Sequence, residues 1–282
     1  MLFLVVLCVL SALVVKNVVS LFMELNFKEF GTGFPIIILH GLLGSLDNWQ
    51  TIAKRLAELP GTPFKTYIID QRNHSKSPHS DEFSYDLLAA DIFDFFKRHS
   101  ISKAHIIGHS MGGKAAMKFA LEHSDMVEKL IVVDIAPTVA EDHHTQIFEA
   151  LLAADVTNAT RREDVEAVLS KRLGDDKTTI QFLMKGLQRD AQDMHLEWKF
   201  NLDSLSRHYE EIREGITSAK PFLGPALFVK GAKSDYINAS NYSDIMDLFP
   251  NNQLVEIAGA GHWVQAEKPT EFMEEACKFL LA

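Results

Sequence analysis

Six short apolar-rich runs, separated mostly by stretches of helical spacing, restrict the fold more than any other feature of this chain. Ile36-Ile37-Ile38-Leu39 contains no polar residue. It is too short for a buried helix and suits a strand covered on both faces, the environment of a parallel sheet. Thr66–Asp70, Ala104–Ile107 and Leu130–Asp134 repeat the pattern. Between them, Trp49, Ile52, Ala53 and Leu56 share one helix face. Leu88, Ile92, Phe95 and Phe96 share another, on a helix from Ser84 to about His99 that Ser84 is suited to cap. The order β-α-β-α-β-α-β implies an α/β fold with a mostly parallel sheet and helices on both faces. The pattern resumes at Ala226–Gly231 and Gln253–Ile257, with helices expected over Tyr242–Phe249 and Pro269–Leu281. Leu25 to Phe30 alternates like an edge strand, turned by Gly31-Thr32-Gly33.

Between Pro137 and about Pro221 the alternation stops. Helices are expected at His143–Ala153, Arg161–Leu173 (ended by Gly174) and Lys177–Gln188. This is far longer than an ordinary crossover. It predicts a helical cap at 137–220, set over the C-terminal edge of a core formed by 24–136 and 221–282. The first 23 residues stand apart. Leu2 to Val15 is apolar except for Ser11, Lys16-Asn17 interrupts, and Val18 to Met23 continues apolar. The run lacks the basic start of a secretory signal and the arginines of an import sequence. Its length is near the lower limit for a span. Signal, membrane anchor and import sequence all stay open, and membrane association through residues 2–23 is an expectation.

The formal charge of −10 offers no basic surface for phosphates, so nucleic acid is not an expected partner. The two cysteines, Cys8 and Cys277, make neither a disulfide framework nor a metal-ligand spacing. No H-E-x-x-H pattern occurs, and the His143-His144 pair is expected on a solvated helix start. The glycine loops lack the lysine spacing of a P-loop and the form G-x-G-x-x-G. No cofactor and no metal are therefore expected.

Gly108-His109-Ser110-Met111-Gly112-Gly113 lies between the Ala104–Ile107 run and a segment of good helix formers, Lys114 to Leu121. Strand, tight turn and helix turn G-x-S-x-G into a nucleophile elbow: the turn strains the serine backbone and leaves its hydroxyl exposed at a sheet edge. A serine hydroxyl needs a base to take its proton and an acid to orient that base. His262, in the glycine-rich loop after the last strand, is placed to be the base. Asp134, at the end of the strand after the elbow helix, is the favoured acid. Asp235 and Asp203 are alternatives; Ser234 stands where G-x-x-D would put an acid. The amides of Leu42 and Met111 are expected to form the oxyanion hole. His40 supports the loop after its strand, His109 points away from the nucleophile, and His74 and His105 are structural. Asp70 is expected to hold the Arg72 loop, and Lys114 to lie at the surface.

Taken together, H-G-L-L-G-S, D-Q-R-N-H-S-K-S-P-H-S, G-H-S-M-G-G-K, V-V-D-I-A-P and A-G-A-G-H-W-V resemble the α/β-hydrolases with a helical cap, from about Glu24 to the C-terminus. The resemblance is more specific than the superfamily and points to the α/β-hydrolase domain-containing protein 11 family with its small bacterial esterase relatives. It implies a cofactor-free serine hydrolase of acyl esters and lipid-like substrates such as diacylglycerol, with mitochondrial placement in animals. It also supports Asp134 as the acid. Two rivals share the fold: a non-hydrolytic binding or regulatory protein, and a haloperoxidase-, dehalogenase- or epoxide-hydrolase-like enzyme. The last two normally use a carboxylate nucleophile, which Ser110 at the elbow speaks against.

Overall fold

The computed structural model describes residues 23–61, 63–190 and 194–282. The expected roles of the apolar N-terminal run fall outside these, apart from Met23. No helix among the described residues is long and apolar enough to cross a membrane.

The apolar runs form the sheet that their composition predicts. Its strands are β1 (Phe27–Gly31), β2 (Phe34–Leu39), β3 (Phe64–Ile69), β4 (Ala104–His109), β5 (Val127–Val133), β8 (Ala226–Gly231) and β9 (Asn252–Ile257), in the order β1-β3-β2-β4-β5-β8-β9. All neighbours pair in parallel except β1, which runs antiparallel on β3 at one edge. Alternate side chains enter two cores. Ile37, Leu39, Ile106, Leu130 and Val132 face one, with α2 (Tyr85–Arg98) and α3 (Met111–Glu122). Ile36, Ile38, Ile107, Ile131 and Val133 face the other, with α1 (Gln50–Ala57) and the closing helix Pro269–Leu281. The Ser84 hydroxyl accepts from the Leu87 N–H at 3.1 Å and caps α2. Because the inner strands run parallel, their C-terminal ends line up along one edge, where β2, β4, β5, β8 and β9 deliver their following loops.

Between β5 and β8 lie α4 (Thr145–Ala153), α5 (Arg162–Leu173), α6 (Lys177–Lys185), β6 (Leu187–Arg189), β7 (Leu196–Trp198), α7 (Leu202–Arg207) and α8 (Tyr209–Arg213). The helix expected at Lys177–Gln188 stops at Lys185. Leu187, Gln188 and Arg189 instead pair antiparallel with Trp198, Glu197 and Leu196. Gly186 marks the change, since a Cβ there would come within 2.7 Å of the Phe200 ring. Helices α9 (Tyr242–Leu248), α10 (Val264–Glu267) and α11 (Pro269–Leu281) complete the fold.

One expectation about polar residues changes, that for Lys114, and another is refined. Asp70 holds the loop after it as expected, accepting from the Lys76 N–H at 3.4 Å and, through its carbonyl, from the Ser77 hydroxyl at 2.5 Å, although it does not pair with Arg72 itself. It accepts from Asn26 Nδ2 at 2.6 Å and from the Leu46 N–H at 2.8 Å. Arg72 forms a bidentate pair with Asp91 of α2, at 2.6 and 2.8 Å, with both side chains about 1% exposed. Lys114 is buried rather than at the surface. Its ammonium donates to the backbone carbonyls of Arg213 (2.7 Å) and Glu214 and lies over the Tyr85 ring, tying α3 to the end of α8. Burial lowers its pKa to about 7.

Candidate active site

Ser110 follows β4 directly and precedes α3, with φ 52° and ψ −120°. A residue other than glycine holds this conformation only when its surroundings impose it. They do here. The Ser110 N–H donates to the Val133 carbonyl at 3.0 Å, and the Lys114 N–H donates back to the Ser110 carbonyl at 3.0 Å. Helix α3 must then pass so close to the end of β2 that a Cβ on Gly112 would lie 2.4 Å from the His40 carbonyl oxygen. Met111 opens α3, so its N–H has no acceptor within the helix.

Asp134 follows β5 and is fully buried. Its N–H donates to the Val229 carbonyl at 2.8 Å, and its φ of 53° turns the chain out of the strand. The Gly231 N–H donates to its Oδ1 at 2.9 Å. The Ser234 hydroxyl and His262 Nδ1 both meet Oδ2, the imidazole at 2.8 Å. Burial raises the Asp134 carboxyl to about 6, against the pull of Ser234 and Gly231. Ser234, which displaced the acid from its more usual position in the sequence, thus donates to the acid at the end of β5.

With Nδ1–H donated to the carboxylate, Nε2 of His262 carries the lone pair. Burial lowers the His262 pKa to about 3, with His143 adding to the effect, so the ring is neutral at ordinary pH. Tyr236 stacks on it at 4.0 Å. The His109 ring lies 4.7 Å from that of His262, and its Nε2 bonds the His262 carbonyl at 2.9 Å. His40 holds its loop as expected, with Nδ1 bonded to the Gly41 carbonyl at 2.8 Å and Nε2 accepting from the Gln71 N–H at 3.0 Å. His74 accepts from the Leu43 N–H at 3.1 Å.

Asp235 is not brought to His262 Nδ1. Its side chain is 67% exposed and faces His143 Nε2 at 3.5 Å. Asp203 sits exposed at the start of α7. Glu141, His143 and Asp235 place potential metal-ligand atoms within 4.8 Å of one another at the surface. His144, expected on a solvated helix start, is half-buried beside Ser110 because the Tyr209 hydroxyl holds its backbone N–H at 2.9 Å.

Two small cavities meet at Ser110, and both are lined by Leu42 and His144. One, of about 330 Å³, runs between Tyr85, Met111, Ile135, Tyr209 and Ile212. The other, of about 370 Å³, is lined by His262, Trp49, Phe182 and Trp263. The stretch between β5 and β8 therefore contributes walls to both. Ser110 and His262 share the second cavity, with Leu42 and Met111 beside the hydroxyl in the first.

A family model described as alpha/beta hydrolase fold matches residues 35–269. Over 260 residues the chain is 38% identical to the sn-1-specific diacylglycerol lipase ABHD11 of Danio rerio, covering 90% of this chain and 80% of that protein. It is 36% identical to Esterase YbfF of Escherichia coli (strain K12), covering 87% and 92%. The solved structure of a marine microorganism esterase superposes with a TM-score of 0.86 at 42% identity, covering 91% of this chain and 99% of that one. The chain belongs to the α/β-hydrolase family, among its esterases and lipases.

Proposed function

We propose that the chain is a serine esterase acting through Ser110, His262 and Asp134, with acyl esters of lipid-like character, diacylglycerol included, as its substrates. Ser110 Oγ attacks the ester carbonyl carbon while His262 Nε2 takes its proton. The Leu42 and Met111 amides receive the oxyanion. The imidazolium then protonates the departing alkoxide, leaving an acyl-serine. Water, deprotonated by the same imidazole, attacks the acyl carbon and returns free acid and serine. Asp134 orients the ring and stabilises its cationic form. Residues 137–220 act as a cap that shapes what reaches the serine.

The observation that carries this reading is the 2.8 Å bond from His262 Nδ1 to a buried carboxylate, with His262 and a strained Ser110 lining one cavity. A fluorophosphonate probe tests it. Labelling is expected of the native chain and not of Ser110→Ala. Labelling that persists in Ser110→Ala removes the proposed nucleophile, and absence of labelling in both leaves a binding protein on this fold. Mitochondrial placement follows only from the family resemblance, and imaging of the full-length chain in cells tests it.

A further inference from the structure

The two cavities at Ser110 divide the substrate. The base must hand its proton to the leaving oxygen, so the alcohol departs on the side that His262 lines. His262 lines the 370 Å³ cavity and not the 330 Å³ one. The acyl group then occupies the mostly apolar cavity between Tyr85, Met111, Ile135 and Ile212, and the alcohol the other.

The alcohol side does not end there. Asn48, Phe182, Trp263 and Gln265 line both that cavity and an open groove of about 1320 Å³. Phe182 and Trp263 face each other at 5.0 Å across the join. Farther out stand Lys185 and Lys199, neither with an ion-pair partner among the described residues. The two acids of the groove are already engaged. Asp47 pairs with Lys28 at 2.8 Å, and Glu267 accepts from the N–H groups of Gly261 (2.9 Å) and Trp263 (3.2 Å). Glu267 keeps its charge, since its donors are neutral, so counting Lys28 the groove's side chains carry three positive and two negative charges, a net +1, although the chain as a whole carries −10. The passage also has unmet hydrogen bonds. Trp49 Nε1 and Gln265 Oε1 are buried without a partner, and the two residues are 1% and 4% exposed. Buried polar atoms of this kind are rare unless a ligand or water completes them.

Resting on the esterase reading, we propose that the preferred substrate is an ester whose alcohol arm is polar and ends in an anion, phosphate or carboxylate, which Lys185 and Lys199 receive. The acyl group enters the apolar cavity. The alcohol arm passes Phe182 and Trp263, and its charged end reaches the lysines. Hydrolysis is otherwise as described: the carbonyl–oxygen bond breaks and the alcohol leaves with the proton from His262.

The test compares three butyryl esters, of glycerol, of glycerol 3-phosphate and of glycerate, in the native chain and in Lys185→Gln/Lys199→Gln. An anionic ester should be favoured over the neutral one in kcat/KM by about tenfold, mainly through KM. That ratio should fall towards one in the double variant and in high salt. The glycerate and phosphate arms show which anion the groove prefers. A native ratio at or below one, or a preference that survives loss of both lysines, overturns the proposal. Calorimetry on Ser110→Ala separates this from the catalytic reading. Glycerol 3-phosphate should bind and glycerol should not, with binding weakened about tenfold without the lysines. If the native chain cleaves none of the esters yet Ser110→Ala binds glycerol 3-phosphate in this way, the esterase reading falls and the groove assignment stands. If no such binding occurs, the groove assignment falls whatever the esters show.

Discussion

The edge of the parallel sheet and the stretch between β5 and β8 meet at Ser110, yet they constrain it differently. The sheet edge places Ser110, Asp134 and the loop of His262 through backbone bonds and contacts too close for a Cβ. The intervening stretch reaches the same point through side chains: the Lys114 ammonium on two carbonyls, the Tyr209 hydroxyl on the chain at His144, and the rings of Phe182 and Trp263. Positions fixed by backbone tolerate no drift, which suits groups that move protons. Positions fixed by side chains can be retuned singly, which suits the shaping of a substrate pocket.

This contrast is open to breakage. The largest expected effect is on the sheet side. Asp134→Asn should cut kcat by about 10³- to 10⁴-fold with little change in KM. Asp235→Asn and Asp203→Asn should stay within about twofold. Steady-state kinetics on the three variants decides, and near-native turnover in Asp134→Asn would remove it from the proposed triad.

Next comes the buried Arg72–Asp91 pair. Asp91→Asn leaves a buried guanidinium without its counter-charge and should lower the unfolding free energy by about 3–5 kcal/mol in a denaturant titration. A loss under about 1 kcal/mol would mean that water or another group compensates Arg72.

Acid should also act mainly through the sheet side. Burial lowers His40 and His105 to about 4, and His74 and His109 to about 3. These folded values lie below the unfolded value of 6.5, so between them the unfolded chain binds protons that the folded chain refuses. The stability these groups confer is complete above about pH 6.5 and is lost as pH falls towards their folded values, at about 1 kcal/mol each by pH 5.5. Asp134, raised to about 6, acts in the opposite sense and offsets part of this. Denaturant midpoints at pH 7 and 5.5 measure the sum, and equal midpoints would contradict it.

The smallest effect is expected where the two regions join. Lys114→Met leaves the Arg213 and Glu214 carbonyls without their donor and should cost about 1–2 kcal/mol of stability. Its kinetic effect should appear in KM and in the order of preference among acyl lengths rather than in kcat. A loss of kcat as large as that of Asp134→Asn would abolish the distinction between the regions.

The same division explains what could be read from the residues alone. Ile36–Leu39 and Leu130–Val133 announce buried strands by composition. Once they are strands of one parallel sheet, the positions of Ser110 and Asp134 at its edge follow. The burial of Lys114 has no local signature, because nothing in its neighbourhood tells of carbonyls roughly 100 residues away waiting for a donor. The hairpin at Leu187–Trp198 has strands of three residues each, too short for a period to show in the sequence. Pairing across chain distance, as of Ser234 with Asp134, leaves no local trace either.

The bonds that gather the site span much of the chain: 128 residues from Asp134 to His262 and 153 from His109 to His262. On the proposed roles, this has a consequence for synthesis. A ribosome completes the nucleophile and the acid long before it makes their base. A growing chain can thus carry a folded elbow and still be chemically silent, and it gains its activity only when β9 has docked and brought the final loop across. Esters within reach of the ribosome are safe from a half-made enzyme, and the last strand to join the sheet acts as the timer.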